Sequence, residues 1–517
     1  ISPDLTRDEE ERQGPGGGPI TNEGAGGENY NTIMYLEPSP LEEGTLWAGS
    51  DDGLVHLTRD GGGNWSEVTP PDLPEGMVNA IEASPHDPAK AYVVFTRYKF
   101  DDFTPHVFRT RDYGRSWTRI VDGIDAPGAW VRVVREDPER EGLLYAGTEV
   151  GMYLSLDDGA RWREWQLNLP VVPVTDLLVH QGDLVASTQG RAFWILDELG
   201  PVRQMSAQAA GAPVHLFRPD DAHRVAWSGG FGGERGPREG ENPPSGVPIH
   251  FILAEAPDST TLVTVEILEP AGEAVRTYAT DPEAAGDEDF TEIEGLEAGL
   301  NTVTWDFRHE PMTTVDGLLE YGSTGGRMAA PGIYRIRLTV GETTAGSDVR
   351  LIPDPRWDAT DAAYREQDAF LARVGAMADE LYESVNRARR VRDQIASVLE
   401  HAAEMEGADS LRAAGEALTA DLEAWESTVV QPKQETFQDV INFRNKLDAQ
   451  LLHLFGSVDG AEPPVTEGAR ERAEDLEEAW SGRRGAFAEL MDRVAAFSAL
   501  IRELEIPPVV VPGDEIR

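Results

Sequence analysis

The sequence contains no cysteine, which excludes disulfide bonds, zinc sites with thiolate ligands and a cysteine nucleophile. Its ten histidines are scattered, without the His-x-x-x-His spacing of a helical zinc site, and no EF-hand loop is present. A Gly-x-Ser-x-Gly elbow is also missing, which argues against Ser-His-Asp catalysis. From these absences we expect neither a metal ion nor a cofactor.

Long apolar runs and positive charge are scarce as well. No run approaches the roughly 18 apolar residues needed to span a bilayer. Lys and Arg number 45 against 93 Asp and Glu, so the formal net charge is −48. This excess repels phosphate, and we therefore expect neither nucleic acid nor an anionic membrane surface as a partner. The acids are spread along the chain, which favours an adaptation to solubility or high salt over a specific acidic site.

A short motif, Ser/Thr-x-Asp-x-Gly-x-x-Trp, occurs at 58–65, 110–117 and 155–162. Its Asp can accept hydrogen bonds from N–H groups one or two residues on, and its Gly can take the positive φ that reverses the chain. The Trp then lies on the returning strand, where its ring covers the edge of a small sheet. We interpret as structural rather than catalytic the residues Asp60, Gly62, Trp65, Asp112, Gly114, Trp117, Asp157, Gly159 and Trp162.

A longer repeat surrounds each motif within residues 29–200. Each copy holds short strands separated by Gly and Pro turns, a pattern typical of β-propeller blades, which need neighbours to bury their faces. The fourth copy ends at Asp197 without the Gly and Trp, as expected of a terminal repeat. Four blades that form part of a larger propeller are therefore predicted. Residues 1–28 are interpreted as an opening strand and a Gly-rich loop.

Downstream of the repeats the pattern changes twice. Polar, alanine-rich residues 201–212 predict a linker, and alternating strands in 213–355 predict an antiparallel, immunoglobulin-like β-sandwich with a long loop at 219–247. Helical periodicity in 356–506 predicts a helical bundle or coiled-coil-like stalk before a C-terminal tail at 507–517. The helices are expected from Asp358 onward and at about 408–428, 433–455 and 467–504. The fold class is thus multidomain, mostly β, and then α-helical.

The Asp motif resembles the Asp-box, or BNR repeat, of sialidases and sortilin-type propellers. Segments 46–56, 134–149 and 168–174 resemble a family of large bacterial sortilin-like proteins often labelled glycosyl hydrolase. This resemblance is specific over about residues 1–200. It implies that the chain is the C-terminal half of a polypeptide about twice as long, whose other blades lie N-terminal to Ile1. It also implies a periplasmic, cell-surface or secreted location, with any signal peptide upstream of Ile1.

In a propeller, one end is built from the turn between the second and third strands of each blade and the loop leading into the next blade. We call this end the mouth face. A glycosidase would need two carboxylates about 5 to 10 Å apart there, and Asp51 or Asp52 with Glu149 is the one repeated acidic placement. A sialidase would need a cluster of arginines to bind the carboxylate of its substrate. Arg132 and Arg135 lie three residues apart on one strand and so face opposite sides, which disfavours a sialidase. Other ligand-binding candidates are Arg97, Tyr98, Lys99, Asp101, Asp102, His106, Trp130, Arg132, Gln189 and Arg191.

Two functions remain open at this level. The first is an extracytoplasmic, non-enzymatic protein whose mouth face binds a protein segment or a glycan. Its helices would serve assembly or oligomerisation, and the N-terminal half of the propeller would be a partner. The second is a glycoside hydrolase that acts on a polysaccharide.

Overall fold

A computed structural model describes residues 2–9, 30–71, 73–225, 242, 244–402 and 409–503. The chain forms two compact units, Ile1–Met205 and Ser206–Arg517. Most elements are strands of antiparallel sheets, and helices follow them, so the coarse order expected from the sequence is confirmed. Within the described ranges, no helix has the length and apolar character to cross a membrane. The loops predicted within 1–28 and at 219–247 lie mostly outside the described residues. The opening strand predicted at the start of the chain is not formed by residues 2–9.

The first unit contains four consecutive sheets, here called repeat sheets 1 to 4, in which each strand pairs antiparallel with the one before it. Each predicted copy of the repeat forms one sheet, and the fourth sheet has three strands. The strands are β1 (Ile33–Pro38), β2 (Leu46–Ser50), β3 (Val55–Thr58) and β4 (Ser66–Glu67); β5 (Met77–Ala83), β6 (Ala91–Arg97), β7 (Asp102–Thr110) and β8 (Thr118–Arg119); β9 (Val131–Glu136), β10 (Leu144–Thr148), β11 (Gly151–Ser155) and β12 (Arg163–Glu164); and β13 (Val174–His180), β14 (Asp183–Thr188) and β15 (Phe193–Leu196).

The three Asp motifs share one hydrogen-bond pattern. The hydroxyl of Thr58, Thr110 or Ser155 donates to the Asp carboxylate at 2.8–2.9 Å and accepts the Gly N–H at 2.9–3.0 Å. The Asp Oδ1 accepts the N–H of the fourth residue on at 2.8–2.9 Å, not the nearer ones expected from the sequence. The hydroxyl already occupies the N–H two residues beyond the Asp, so the carboxylate reaches further. The motif Gly takes a φ of +94°, +78° and +80° in the three turns, as predicted.

The motif tryptophans connect consecutive sheets. Trp117 Nε1 donates to the Val68 carbonyl at 2.8 Å, and Trp162 Nε1 donates to the Ile120 carbonyl at 2.9 Å. Each acceptor directly follows the last strand of the preceding sheet. The rings therefore join two sheets instead of covering only the edge of their own. The indole N–H of Trp65, in repeat sheet 1, is buried without a hydrogen-bond partner among the described residues.

Arg135, on the first strand of repeat sheet 3, links the first strands of all four repeat sheets. Its Nη2 lies 2.9 Å from the Tyr35 hydroxyl and 2.7 Å from Asp176 Oδ1. Its Nη1 lies 3.3 Å from Glu82 Oε2, and its Nε donates to the Leu177 carbonyl at 2.9 Å. A guanidinium with this many acceptors fixes these four first strands, here called the inner strands, relative to one another.

Two short helices form in and next to the segment predicted as a linker: α1 (Gly200–Gln204) ends the first unit, and α2 (Ala207–Gly211) begins the second. Two sheets with a shared hydrophobic core follow. Their elements are β16 (Val214–Leu216), β17 (Ala222–Arg224), β18 (Val247–Leu253), β19 (Val263–Leu268), β20 (Ala274–Ala279), α3 (Pro282–Ala285), β21 (Thr291–Glu292), β22 (Gly299–Trp305), β23 (Gly332–Val340) and β24 (Thr343–Pro353). One sheet has the order β16-β18-β22, and the other has the order β17-β24-β23-β19-β20-β21. The expectation of purely antiparallel pairing was wrong at both edges of the larger sheet, since β17 and β21 each pair parallel to their neighbour.

The helices α4 (Asp361–His401), α5 (Asp409–Val429), α6 (Leu447–Asp459) and α7 (Glu467–Glu503) share one core. The predicted apolar face of the first helix, from Phe370 to Val385, is buried. The third helix, predicted at about 433–455, is instead a 3-10 turn at Phe437–Ile441 followed by α6. Phe437 and Ile441 are exposed, so no apolar face holds that stretch as an α-helix.

The helices and the sheets before them are joined by buried polar contacts. Asp459 accepts from Arg308 Nη1 and from the Met328 N–H, both at 2.8 Å. Arg224 Nη1, at the end of a strand, lies 3.4 Å from both carboxylate oxygens of Glu462, and the Tyr364 hydroxyl donates to the same carboxylate at 2.6 Å. Met312, Val315 and Leu318, from the segment between β22 and β23, lie in the helical core. The helices are therefore a bundle packed on the sheets rather than a protruding stalk.

Candidate functional site

The mouth face contains the start of each inner strand and the turn between the next two strands of each repeat sheet. In three sheets, the first residue of that turn donates its N–H to the carbonyl just before the inner strand. The donor and acceptor pairs are Asp51 to Thr32 at 2.9 Å, Glu149 to Trp130 at 3.1 Å and Gln189 to Pro173 at 2.9 Å. In repeat sheet 2 the Arg97 guanidinium donates to the Glu75 carbonyl at 2.8 Å. The first backbone N–H of three of these turns is thus bonded within its own sheet, and a side chain makes the corresponding contact in repeat sheet 2.

An aromatic and ionic stack lies between repeat sheets 2 and 3. Tyr98 stacks on Trp130 with ring centroids 4.8 Å apart and an interplanar angle of 18°. The Arg132 guanidinium lies 4.3 Å from the Trp130 ring centroid and forms an ion pair with Glu149 at 2.7 Å. Trp130 is buried, whereas 37% of Tyr98 is exposed. The pair presents a fixed aromatic surface to solvent, because Trp130 holds Tyr98 from beneath.

The turn that carries Tyr98 projects more aromatic surface than the turns of the other sheets. Phe100 and Phe103 are 46% and 49% exposed. A 3-10 turn at Tyr98–Phe100 and the left-handed Asp101, with a φ of +58°, shape this segment. The sequence interpretation missed both phenylalanines, although their place beside Tyr98 was a usable signal.

Arg97, Asp102 and His106 form an ionic cluster at the base of the same turn. Arg97 Nη1 lies 2.5 Å from Asp102 Oδ2, and His106 Nε2 lies 3.6 Å from the same oxygen. Burial works against ionisation of Asp102, but hydrogen bonds from Thr104 and Arg97 prevail and lower its pKa. Burial also lowers the pKa of His106, against the attraction of Asp102. The cluster orders the turn and leaves its aromatic residues outward.

The two candidate acids of repeat sheet 1 have different surroundings. Asp52 is fully buried, and its carboxylate accepts from the Arg7 N–H and Asn31 Nδ2, both at 2.7 Å, and from the Ser50 hydroxyl. It anchors the segment 2–9 and has no access to a ligand. Asp51 Oδ1 accepts the Thr32 N–H at 2.8 Å. Burial raises the pKa of Asp51, and the positive charge of Lys99 opposes this shift.

The remaining candidates are dispersed. Gln189 and Arg191 are exposed on the turn of repeat sheet 4, and Asp101 is exposed on that of repeat sheet 2. Within the described ranges, no ion pair or hydrogen bond joins Gln189 or Arg191 to the stack around Trp130. None joins Asp51 or Asp52 to Glu149 either. Those ranges also contain no group of three or more His, Asp and Glu side chains placed to hold a metal ion.

No protein-family model matches this chain, and no curated protein matches it. Among solved structures it is similar to YCF48 bound to D1 peptide, with 20% identity, a TM-score of 0.26 and coverage of 32% of this chain and 51% of that one. It is also similar to the GH74 xyloglucanase from Xanthomonas campestris, with 14% identity, a TM-score of 0.27 and coverage of 61% and 45%. The Niastella koreensis GH74 enzyme has 12% identity, a TM-score of 0.27 and coverage of 61% and 53%. The chain thus spans about half the length of these structures.

Proposed function

We propose that repeat sheets 1 to 4 are blades of an extracytoplasmic Asp-box β-propeller whose mouth face binds a protein segment or a glycan without cleaving it. In this proposal the second unit, an immunoglobulin-like sandwich with a helical bundle, supports assembly. The observation that carries the binding role is the exposed aromatic turn at residues 98–103. Exposed aromatic groups held by a rigid scaffold are typical of binding sites.

The acids of the mouth face argue against hydrolysis. A glycosidase needs one carboxylic acid and one free carboxylate that face each other. Asp52 is buried and Glu149 is neutralised by Arg132, so neither is available as a free carboxylate. The raised pKa of Asp51 is the one feature that favours the alternative, a glycoside hydrolase with Asp51 as its acid.

Measurement of binding and cleavage on the same samples separates these functions. The intact chain is incubated with a panel of polysaccharides and peptides, and bound ligand and new chain ends are both quantified. We expect binding without new ends, and loss of binding in Tyr98→Ala. Cleavage that stops in Asp51→Asn or Glu149→Gln would establish the hydrolase. Cleavage that persists in both variants would refute the non-catalytic proposal and also exclude these two acids.

An open face on repeat sheet 1 supports a partner for this unit. Leu36 pairs with Ala48, as Ile81 pairs with Val93 and Val134 with Ala146 in the next two sheets. Leu36 is 57% exposed, whereas its counterparts Ile81 and Val134 are 0% and 1% exposed. In repeat sheets 2 and 3 this position packs against the preceding sheet, and in repeat sheet 1 it faces solvent.

Repeat sheet 4 has the complementary open face. Phe193 and Ile195 are 74% and 58% exposed. Their counterparts in repeat sheet 1, Val55 and Leu57, are 0% and 6% exposed beneath repeat sheet 2. Monomeric soluble proteins rarely leave such apolar faces uncovered. We propose that further blades, from the N-terminal half of the same propeller, cover both faces.

A further inference from the structure

We infer that the mouth face takes a neutral polysaccharide chain, and that Tyr98 is the surface on which a sugar ring lies. This inference rests on the binding function proposed for the mouth face and specifies its ligand. Three properties of the mouth face support the inference: an exposed aromatic platform, ion pairs beside that platform, and turn N–H groups that are already hydrogen-bonded.

The platform fits the apolar side of a sugar. A pyranose ring presents C–H groups on its faces and hydroxyl groups around its edge, so it packs flat on an aromatic ring. Tyr98 is exposed and held nearly parallel to the buried Trp130, 4.8 Å beneath it. Because the stack is already formed, binding costs little ordering of the side chain. Phe100 and Phe103 extend the apolar surface along the same turn.

Two ion pairs lie beside the aromatic platform. Arg97 pairs with Asp102, and Arg132 pairs with Glu149. A charged ligand would have to compete with these pairs or lie against a like charge, which is unfavourable. A neutral ligand leaves each pair intact and still finds hydrogen-bonding groups around the platform.

The backbone of the face disfavours an extended peptide. A peptide that binds by its main chain needs unpaired N–H and C=O groups, usually at a strand edge. The turn N–H groups of Asp51, Glu149 and Gln189 each donate to a carbonyl of their own sheet. Sugar hydroxyls do not need a strand edge, because each one both donates and accepts.

Isothermal titration of the intact chain tests the inference. The probes are galactomannan and mixed-linkage β-glucan as neutral chains, polygalacturonate as an anionic chain, and a set of uncharged decapeptides. We expect the neutral chains to bind, with an affinity that changes less than about twofold between 0.1 and 0.5 M salt. Tyr98→Phe should retain binding, and Tyr98→Leu should weaken it about tenfold because the flat ring is lost. Phe437→Leu is the matched control, since Phe437 is an exposed aromatic residue of the second unit, and it should change nothing.

The outcomes separate the ligand class from the site. Tighter, salt-sensitive binding of polygalacturonate would overturn the neutral-ligand inference. Peptide binding that is lost in Tyr98→Leu would overturn the glycan and leave the binding function of the mouth face standing. If a probe binds Tyr98→Leu and the parent chain equally well, both the glycan ligand and the binding function of the mouth face are overturned. The same holds if no probe binds at all.

Discussion

Glu82 and Arg135 lie at the centre of the first unit, with Oε2 and Nη1 3.3 Å apart. Burial raises the pKa of Glu82 to about 8, against the opposing charge of Arg135. The folded protein therefore holds a proton that the unfolded chain releases above its ordinary pKa of 4.5. The protonated Glu82 carboxyl therefore makes its full contribution to the free energy of unfolding below pH 4.5, and this contribution is lost as the pH rises through 8.

Glu82→Gln removes this titration while keeping the shape of the neutral side chain. We expect the free energy of unfolding of the parent chain to fall more steeply between pH 5 and 8 than that of the variant. The difference in slope is at most about 1.4 kcal/mol per pH unit. Urea denaturation of both proteins at a series of pH values measures it. Parallel curves would show that Glu82 ionises with an ordinary pKa in the folded protein.

Single residues of the mouth face were only partly predictable. The sequence placed Tyr98, Trp130, Arg132 and Glu149 on one end because strand and turn positions repeat. It did not reveal that Asp52 is buried, because the segment 2–9 that covers it is distant in the chain and carries no recognisable pattern. The role of Arg135 depends on acceptors from the three repeat sheets other than its own, which no local pattern encodes.

At the scale of the element, the glycines of the Asp motifs make a sharp prediction. Gly159 has a φ of +80°, and a Cβ there would lie 2.5 Å from Ile120 Cδ1. Gly159→Ala should therefore cost about 2 to 4 kcal/mol from backbone strain and overpacking. Gly61 has a φ of +70° with open space around it, so Gly61→Ala should cost only the strain, about 1 to 2 kcal/mol. Chemical denaturation measures both, and equal losses would contradict the packing argument.

The motif tryptophans give a second matched pair. Trp162→Phe removes the hydrogen bond to the buried turn of the preceding sheet and should cost about 1 to 3 kcal/mol. Trp65 has a buried N–H without a partner among the described residues, so Trp65→Phe should cost less than about 0.5 kcal/mol in this chain. Thermal or urea unfolding compares the two variants. A larger loss for Trp65→Phe would mean that the indole N–H of Trp65 is bonded in solution.

Elements with a strong local signal were predictable, and the others were not. The Asp motifs specify their turns through fixed hydroxyl, Asp and Gly positions, and the face from Phe370 to Val385 has an uninterrupted helical period. The third helix was misplaced because composition alone does not distinguish a helix with a buried face from an exposed 3-10 turn such as Phe437–Ile441. The parallel edge strands β17 and β21 are set by long-range pairing.

At the scale of the whole molecule, the open faces of repeat sheets 1 and 4 predict a dependence on context. Phe193→Ala should cost less than about 1 kcal/mol in this chain, because the ring is largely exposed. In a longer product whose further blades cover it, the same change should cost about 3 to 5 kcal/mol. The mass of the intact gene product, or a second polypeptide that copurifies with this chain, identifies that product. A stable, closed monomer of 56.5 kDa would contradict the proposal.

The most direct test of the central claim, that the mouth face is a binding surface, is hydrogen exchange with mass spectrometry on the intact chain. It is measured free and saturated with the probe that binds most tightly in the titration. We predict slower exchange in residues 97–104 and 130–132, with the Asp-motif turns at 58–65, 110–117 and 155–162 unchanged. Protection confined to the Asp-motif turns or to the second unit would contradict the claim.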